Sequence, residues 1–129
     1  MTTEQQFRDY ISRFVEGISK PDWEAFDKLV DTTVAGEYIG HLPGISGPVR
    51  GPEGLKQYFR GVVASIPGYY ATIEDIFAVG DKGAARFKGQ RTDPATGKMQ
   101  LITGLLISHL KGGKFVEDWE LVGEWEDEA

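Results

Sequence analysis

Residues 70–79 (YATIEDIFAV), 84–92 (AARFKGQRT), 99–110 (MQLITGLLISHL) and 115–122 (FVEDWELV) are four apolar or aromatic runs. Only short turn clusters separate them: Gly80-Asp-Lys-Gly, Asp93-Pro-Ala-Thr-Gly and Lys111-Gly-Gly. Strands joined by such short links must be antiparallel neighbours, because a parallel crossover needs a dozen residues or more. The second half of the chain therefore reads as a four-stranded meander. The first half reads differently. Phe7, Tyr10, Ile11, Phe14, Val15 and Ile18 fall at helical intervals, with capping-box spacing between Thr3 and Gln6. A second, shorter helix follows, with Ser19 as its cap, Pro21 in its first turn, and Trp23, Phe26, Leu29 and Val30 as its packing face. A strand over 33–41 and a Pro/Gly-rich loop lead to a third helix beginning near Pro52. Its apolar stripe is Leu55, Tyr58, Phe59, Val62, Val63 and Ile66, and Pro67-Gly68 ends it. Helices first and a meander afterwards make an α+β domain, not an alternating α/β one. No repeat or linker interrupts it, so one domain is expected over residues 1–129.

The run 101–110 carries more than its secondary structure. Leu101, Leu105 and Ile107 point to one face while Ile102, Leu106 and Leu110 point to the other. A sheet with one wet face should alternate, and this strand does not. Three helices can cover one face, so a homodimer through the other is expected. The plainer alternative is that the segment around Trp125 folds back over it. His109 shares the parity of Leu105 and Ile107 and belongs to that outer face.

The 129 residues carry a net charge of −6, which argues against nucleic acid and against an anionic membrane surface. There is no cysteine, so thiol and disulfide chemistry are excluded. Two distant histidines make a zinc site improbable, and neither a phosphate-binding loop nor a nucleophile elbow is present. The first residues have no signal-like pattern, and no apolar run reaches membrane-spanning length, so the expected compartment is the cytoplasm.

Tyr38-Ile-Gly-His41-Leu-Pro, then Gly51-Pro-Glu-Gly-Leu, Ile66-Pro-Gly and Thr72-Ile-Glu-Asp-Ile-Phe-Ala-Val-Gly80-Asp follow one another in a telling order. Gly97-Lys and Gly113-Lys-Phe-Val-Glu117-Asp-Trp119 complete it. Together they resemble the SnoaL-like polyketide cyclases of the nuclear transport factor 2-like superfamily, over about residues 7–123. The resemblance implies three helices packed on a strongly curved, mostly antiparallel sheet, a cone around a deep apolar pocket. It implies a small hydrophobic molecule as ligand and no cofactor. The superfamily hosts several chemistries as well as binders, so the fold alone does not name a reaction.

In cyclases of this type an essential aspartate directly follows the position of Trp119, which places the corresponding carboxylate at Glu120. On a strand Val116, Asp118, Glu120 and Val122 share one face, and Phe115, Glu117, Trp119 and Leu121 share the other. A carboxylate in an apolar pocket has its charged form disfavoured and can exchange a proton with carbon beside a carbonyl near neutral pH. The plainer reading is a solvated strand carboxylate. Asp118, on the same face, can split roles with it, one ionised and one protonated, or sit at an exposed rim. The resemblance puts His41 at the cavity as a carbonyl-orienting or proton-shuttling group, and a capped loop histidine is the alternative. Tyr38 points inward or packs beneath the third helix. Arg91 falls where the related pattern has a histidine, a place for an anchor to an acidic or enolate oxygen, or for an exposed hairpin-end residue. Phe14, Leu106 and Trp23 join Tyr38 and Arg91 as candidates to line the substrate pocket.

Three positions depart from the cyclase pattern, one of them Glu120, where glutamate in place of aspartate moves the carboxylate outward by one methylene. The pattern's glutamine and histidine on the strand before the last fall on Gly104 and Leu106, neither of which carries a donor side chain. The tyrosine of the related steroid isomerases falls on Phe14, which cannot donate a hydrogen bond. Two functions follow: a cofactor-independent cyclase, isomerase or lyase working on a hydrophobic carbonyl compound, with Glu120 as acid/base; or a non-catalytic small-molecule-binding or dimeric scaffold domain.

Overall fold

A computed structural model describes residues 2–128. Helix α1 (Thr3–Ser19) starts at a reciprocal capping box between Thr2 and Gln5, one residue earlier than the Thr3/Gln6 spacing suggests. Helix α2 (Trp23–Thr33) is capped by the Asp22 carboxylate, which accepts from the Ala25 amide at 3.2 Å. Ser19, expected to be that cap, instead closes α1 and accepts a hydrogen bond from the Ala71 amide. Strand β1 (Val34–His41) follows directly, then the two-residue β2 (Val49–Arg50). Helix α3 (Gly51–Ser65) carries proline in its first turn, where a missing amide proton costs nothing. The Arg60 guanidinium forks onto the Asp27 carboxylate at 3.0 and 2.8 Å and ties α3 to α2.

The meander is as the turns dictate: β3 (Tyr70–Val79), β4 (Lys82–Thr92), β5 (Met99–Lys111) and β6 (Lys114–Val122), each antiparallel to the next. Strand β1 adds parallel to β6, so the sheet runs β2-β1-β6-β5-β4-β3. A last short strand, β7 (Glu126–Asp127), pairs with the start of β5. The helices cover the concave face and the core lies between. Phe7, Phe26, Val30 and Tyr38 are its most deeply buried large side chains. No helix among the described residues is long and apolar enough to cross a membrane.

A strict alternation along β6 would turn Phe115 outward with Glu117. It does not. Leu110 pairs with Phe115 and His109 with Glu117, so Val116 is an extra residue in β6. This bulge resets the parity. Phe115 turns into the core, against Phe7, Tyr10 and Phe14, while Asp118 and Glu120 keep their inward direction.

The convex face is left open. One cross-strand row reads Phe77, Ala84, Ile107, Trp119 and His41, and the next places Leu105 beside Leu121. Leu121 is 77% exposed and Leu105 55%. Trp125 does not cover them. It packs on the concave side, edge-on to Tyr69 and against the Arg91 guanidinium.

Candidate functional site

The concave face of β5 and β6 presents Gly104, Leu106 and Ser108 opposite Val122, Glu120 and Asp118. Two connected spaces open above them. An inner chamber of about 70 Å³ is walled by Phe14, Tyr38, Phe59, Phe87, Leu106 and Phe115, with Asp118 and Glu120 at its floor. An outer chamber of about 530 Å³ is walled by Tyr58, Ile66, Tyr69, Ile102, Val122 and Trp125. Glu120 and Phe59 belong to both. The outer space lies in the range of small-molecule sites, whereas the inner one has room for a short alkyl stub or a few waters.

The two carboxylates are held differently. Asp118 is clamped: the Tyr38 hydroxyl donates to its Oδ2 at 2.7 Å, and the Ser108 hydroxyl donates to its Oδ1 at 2.5 Å. Burial pushes its pKa up to about 6, and the two hydroxyl donors hold back a larger rise by favouring the charged form. The same burial, with the Asp118 charge, drives the Tyr38 phenol far above its ordinary value, so it stays a donor. Glu120 has no hydrogen-bonding side-chain partner among the described residues and stands where the chambers meet. Burial, seconded by the charge on Asp118, pushes its pKa up to about 7. Directly across the ladder from Glu120 is Leu106, which offers it nothing polar. A carboxyl poised near neutrality and free to move its proton is what general acid–base catalysis requires.

Of the residues named from the sequence, Glu120, Asp118, Tyr38, Phe14 and Leu106 come together around this cavity. Three do not. His41 pairs across the ladder with Trp119, so it points to the convex face, where its Nε2 lies 2.7 Å from Glu117 and its ring stacks on Trp119. It lines neither chamber but an open groove at the rim, which Glu120, Leu121 and Val122 also border. The expectation of a cavity-facing histidine fails because Tyr38 and Asp118 fix the inward parity of β1 and β6, and residue 41 falls on the odd side. Arg91 is on the concave side but beyond both chambers, with its Nε donating to Gln100 Oε1 at 2.9 Å and its plane 4.6 Å from the Trp125 ring centre. Trp23 packs outside the cavity, against Phe26 and beneath Arg60.

The site also contains residues the sequence did not single out. Ser108 becomes a partner of Asp118 only through the β5–β6 register, which no local signal announces. Phe87 is the other. It lies opposite Gly104, and a Cβ at 104 would clash with the edge of its ring. Glycine at 104 is thus the space into which an aromatic wall is packed, and the place of a donor side chain is taken by Phe87. Tyr58 and Tyr69 complete the outer wall, and the Tyr58 hydroxyl donates to the Pro43 carbonyl at 2.7 Å. Among the described residues no three His, Cys, Asp or Glu side chains stand close enough together to hold a metal ion.

Residues 11–118 match the family model described as a SnoaL-like domain. No curated protein matches the chain. Among solved structures, it is similar to IdmH, a candidate polyketide cyclase from Streptomyces antibioticus, at 27% identity and a TM-score of 0.74, covering 89% of this chain and 90% of that one. A candidate SnoaL-like polyketide cyclase from a Jannaschia species is 15% identical, with a TM-score of 0.77 and coverage of 95% and 88%. A protein of ketosteroid isomerase-like fold from Catenulispora acidiphila, solved with trimethylamine, is 12% identical, with a TM-score of 0.73 and coverage of 87% and 83%. The last two likenesses speak for the fold alone.

Proposed function

The chain belongs to the SnoaL-like domain family, and we propose that it is a cofactor-independent cyclase or isomerase acting on a hydrophobic carbonyl compound, with Glu120 as its acid/base. The observation that carries this reading is a single unpartnered carboxyl, its pKa near 7, at the junction of two apolar chambers. In its ionised form Glu120 takes a proton from carbon next to the carbonyl, and the electron pair of that C–H bond moves to the carbonyl oxygen as an enolate. The enolate then attacks a second carbonyl and closes a ring, the alkoxide so formed taking the proton back from Glu120, or it is reprotonated at another carbon by the same carboxyl. Asp118 does not need to exchange a proton in this scheme. Held by Tyr38 and Ser108, it is a fixed negative charge that raises the basicity of its neighbour. The likeness to a candidate polyketide cyclase at 27% identity supports the same class of reaction.

The test is carbon-bound proton exchange in deuterium oxide, followed by NMR over a panel of hydrophobic ketones and 1,3-diketones. The expected result is enzyme-dependent exchange whose rate rises with pH through about 7 and drops at least a hundredfold in Glu120→Gln, a loss of the size general-base removal produces. A second reading, a binding domain without chemistry, is favoured by Gly104 and Leu106, which bring no donor to the wall facing Glu120. Ketones that bind without exchanging would establish it.

The same reading includes a homodimer through the convex face of the sheet. Its support is the uncovered row of Phe77, Ile107 and Trp119 with Leu105 and Leu121 beside it, an apolar patch of a kind monomers rarely leave in water.

A further inference from the structure

An enolate needs a donor on its oxygen, and the inner chamber has none to spare. Tyr38 and Ser108 both spend their hydroxyl protons on Asp118. The outer chamber offers more. Tyr58 is committed to the Pro43 carbonyl and Ser65 to the Val62 carbonyl. The Gln57 amide, exposed on α3, has no side-chain partner among the described residues, and neither has the half-buried Tyr69 hydroxyl, which lines the same chamber as Glu120. Its ring is held in place. Trp125 meets it edge-on with centroids 6.4 Å apart, and it lies so close over Gly89 that a Cβ there would stand 3.2 Å from the ring and 3.3 Å from the hydroxyl oxygen. A half-buried phenol fixed by a tryptophan edge and a bare strand backbone loses little entropy on meeting a ligand.

We propose that Tyr69 is a catalytic residue that donates its hydroxyl hydrogen bond to the substrate's carbonyl oxygen in the outer chamber while Glu120 removes the neighbouring carbon-bound proton. This rests on the reading of Glu120 as the base. The C–H proton goes to a Glu120 oxygen, the electron pair ends on the carbonyl oxygen, and the Tyr69 proton stays on Tyr69 throughout, shared with that oxygen. Burial and the Glu120 charge hold the phenol up at about 12, so it remains a donor across the working range and does not compete as an acid. Both groups line the outer chamber, so the substrate of this proposal is a ketone whose bulk fills that chamber.

The probe is 2-naphthol, a planar phenol whose anion resembles an enolate and whose neutral and ionised forms differ in fluorescence. It is titrated into Glu120→Gln, which mimics the carboxyl after it has taken the proton, and into the Glu120→Gln/Tyr69→Phe double variant. The expected result is tight binding with a raised naphtholate fraction in the first, and affinity weakened by about ten- to a hundredfold with the fraction reduced in the second, the scale of one hydrogen bond to a charged acceptor. A measurement that needs no change at position 69 runs beside it: with Cζ-labelled tyrosine, one resonance should move strongly on naphthol binding. Equal affinity and ionisation in both variants, an unmoved tyrosine spectrum, or no naphthol binding would overturn the proposal. Tyr69-dependent ionisation together with unaltered carbon exchange in Glu120→Gln would instead fault the base and leave the donor standing.

Discussion

Replacing Glu120 by glutamine removes a buried charge while keeping the side chain's shape. Moving its carboxyl from an ordinary 4.5 to about 7 corresponds to roughly 3 kcal/mol of preference for the protonated form in the folded state. Water reaching the half-buried residue reduces this to about 2 kcal/mol. The folded chain holds the proton more tightly than the unfolded one, so the stabilisation is complete below about pH 4.5 and is lost as pH rises to about 7. Glutamine does not titrate. The variant should therefore match the wild type near pH 4 and exceed it by about 2 kcal/mol at pH 8, or about 8 °C in melting temperature for a chain of this size. Urea denaturation of both proteins at half-unit steps of pH measures the difference directly. Two parallel stability curves would show that Glu120 titrates in water. A glutamine variant weaker than wild type at pH 8 would show that the Glu120 charge is stabilised in the fold. Either would refute the acid–base reading.

Two further outcomes follow from the same geometry. Tyr38→Phe removes one of the two donors that stabilise ionised Asp118, so the Asp118 pKa should climb above about 6 in a carboxyl-carbon NMR titration. The fold should lose about 1 to 2 kcal/mol at pH 8, where the carboxylate is charged. Ile107→Glu places a charge in the centre of the convex apolar row, and sedimentation velocity should find a dimer in the wild type and a monomer in the variant; a wild-type monomer would remove the interface.

The register of the site is where reading along the chain stopped working. Glu120, Asp118 and Leu106 could be placed on one inner face because period-two alternation over a short strand needs no outside information. His41 obeys the same rule, but which of its two faces is inward depends on how β1 docks on β6, a parallel pairing between residues almost eighty positions apart. Phe115 was misplaced for a related reason. The bulge at Val116 reverses parity on one side of a single residue, and no proline or glycine inside the strand marks it.

The sequence by itself determined the order of elements, the antiparallel meander and an apolar outer face, because turn length and hydrophobic periodicity are local properties. It also sufficed to put two carboxylates on one side of the last long strand. Only the tertiary structure decided their different natures. Asp118 is clamped because Tyr38 and Ser108 arrive from two other strands, and Glu120 is free because Leu106 stands opposite it and Phe87 fills the space over Gly104. A carboxyl's pKa is set by what surrounds it in space, and those neighbours are brought together by pairing between distant segments.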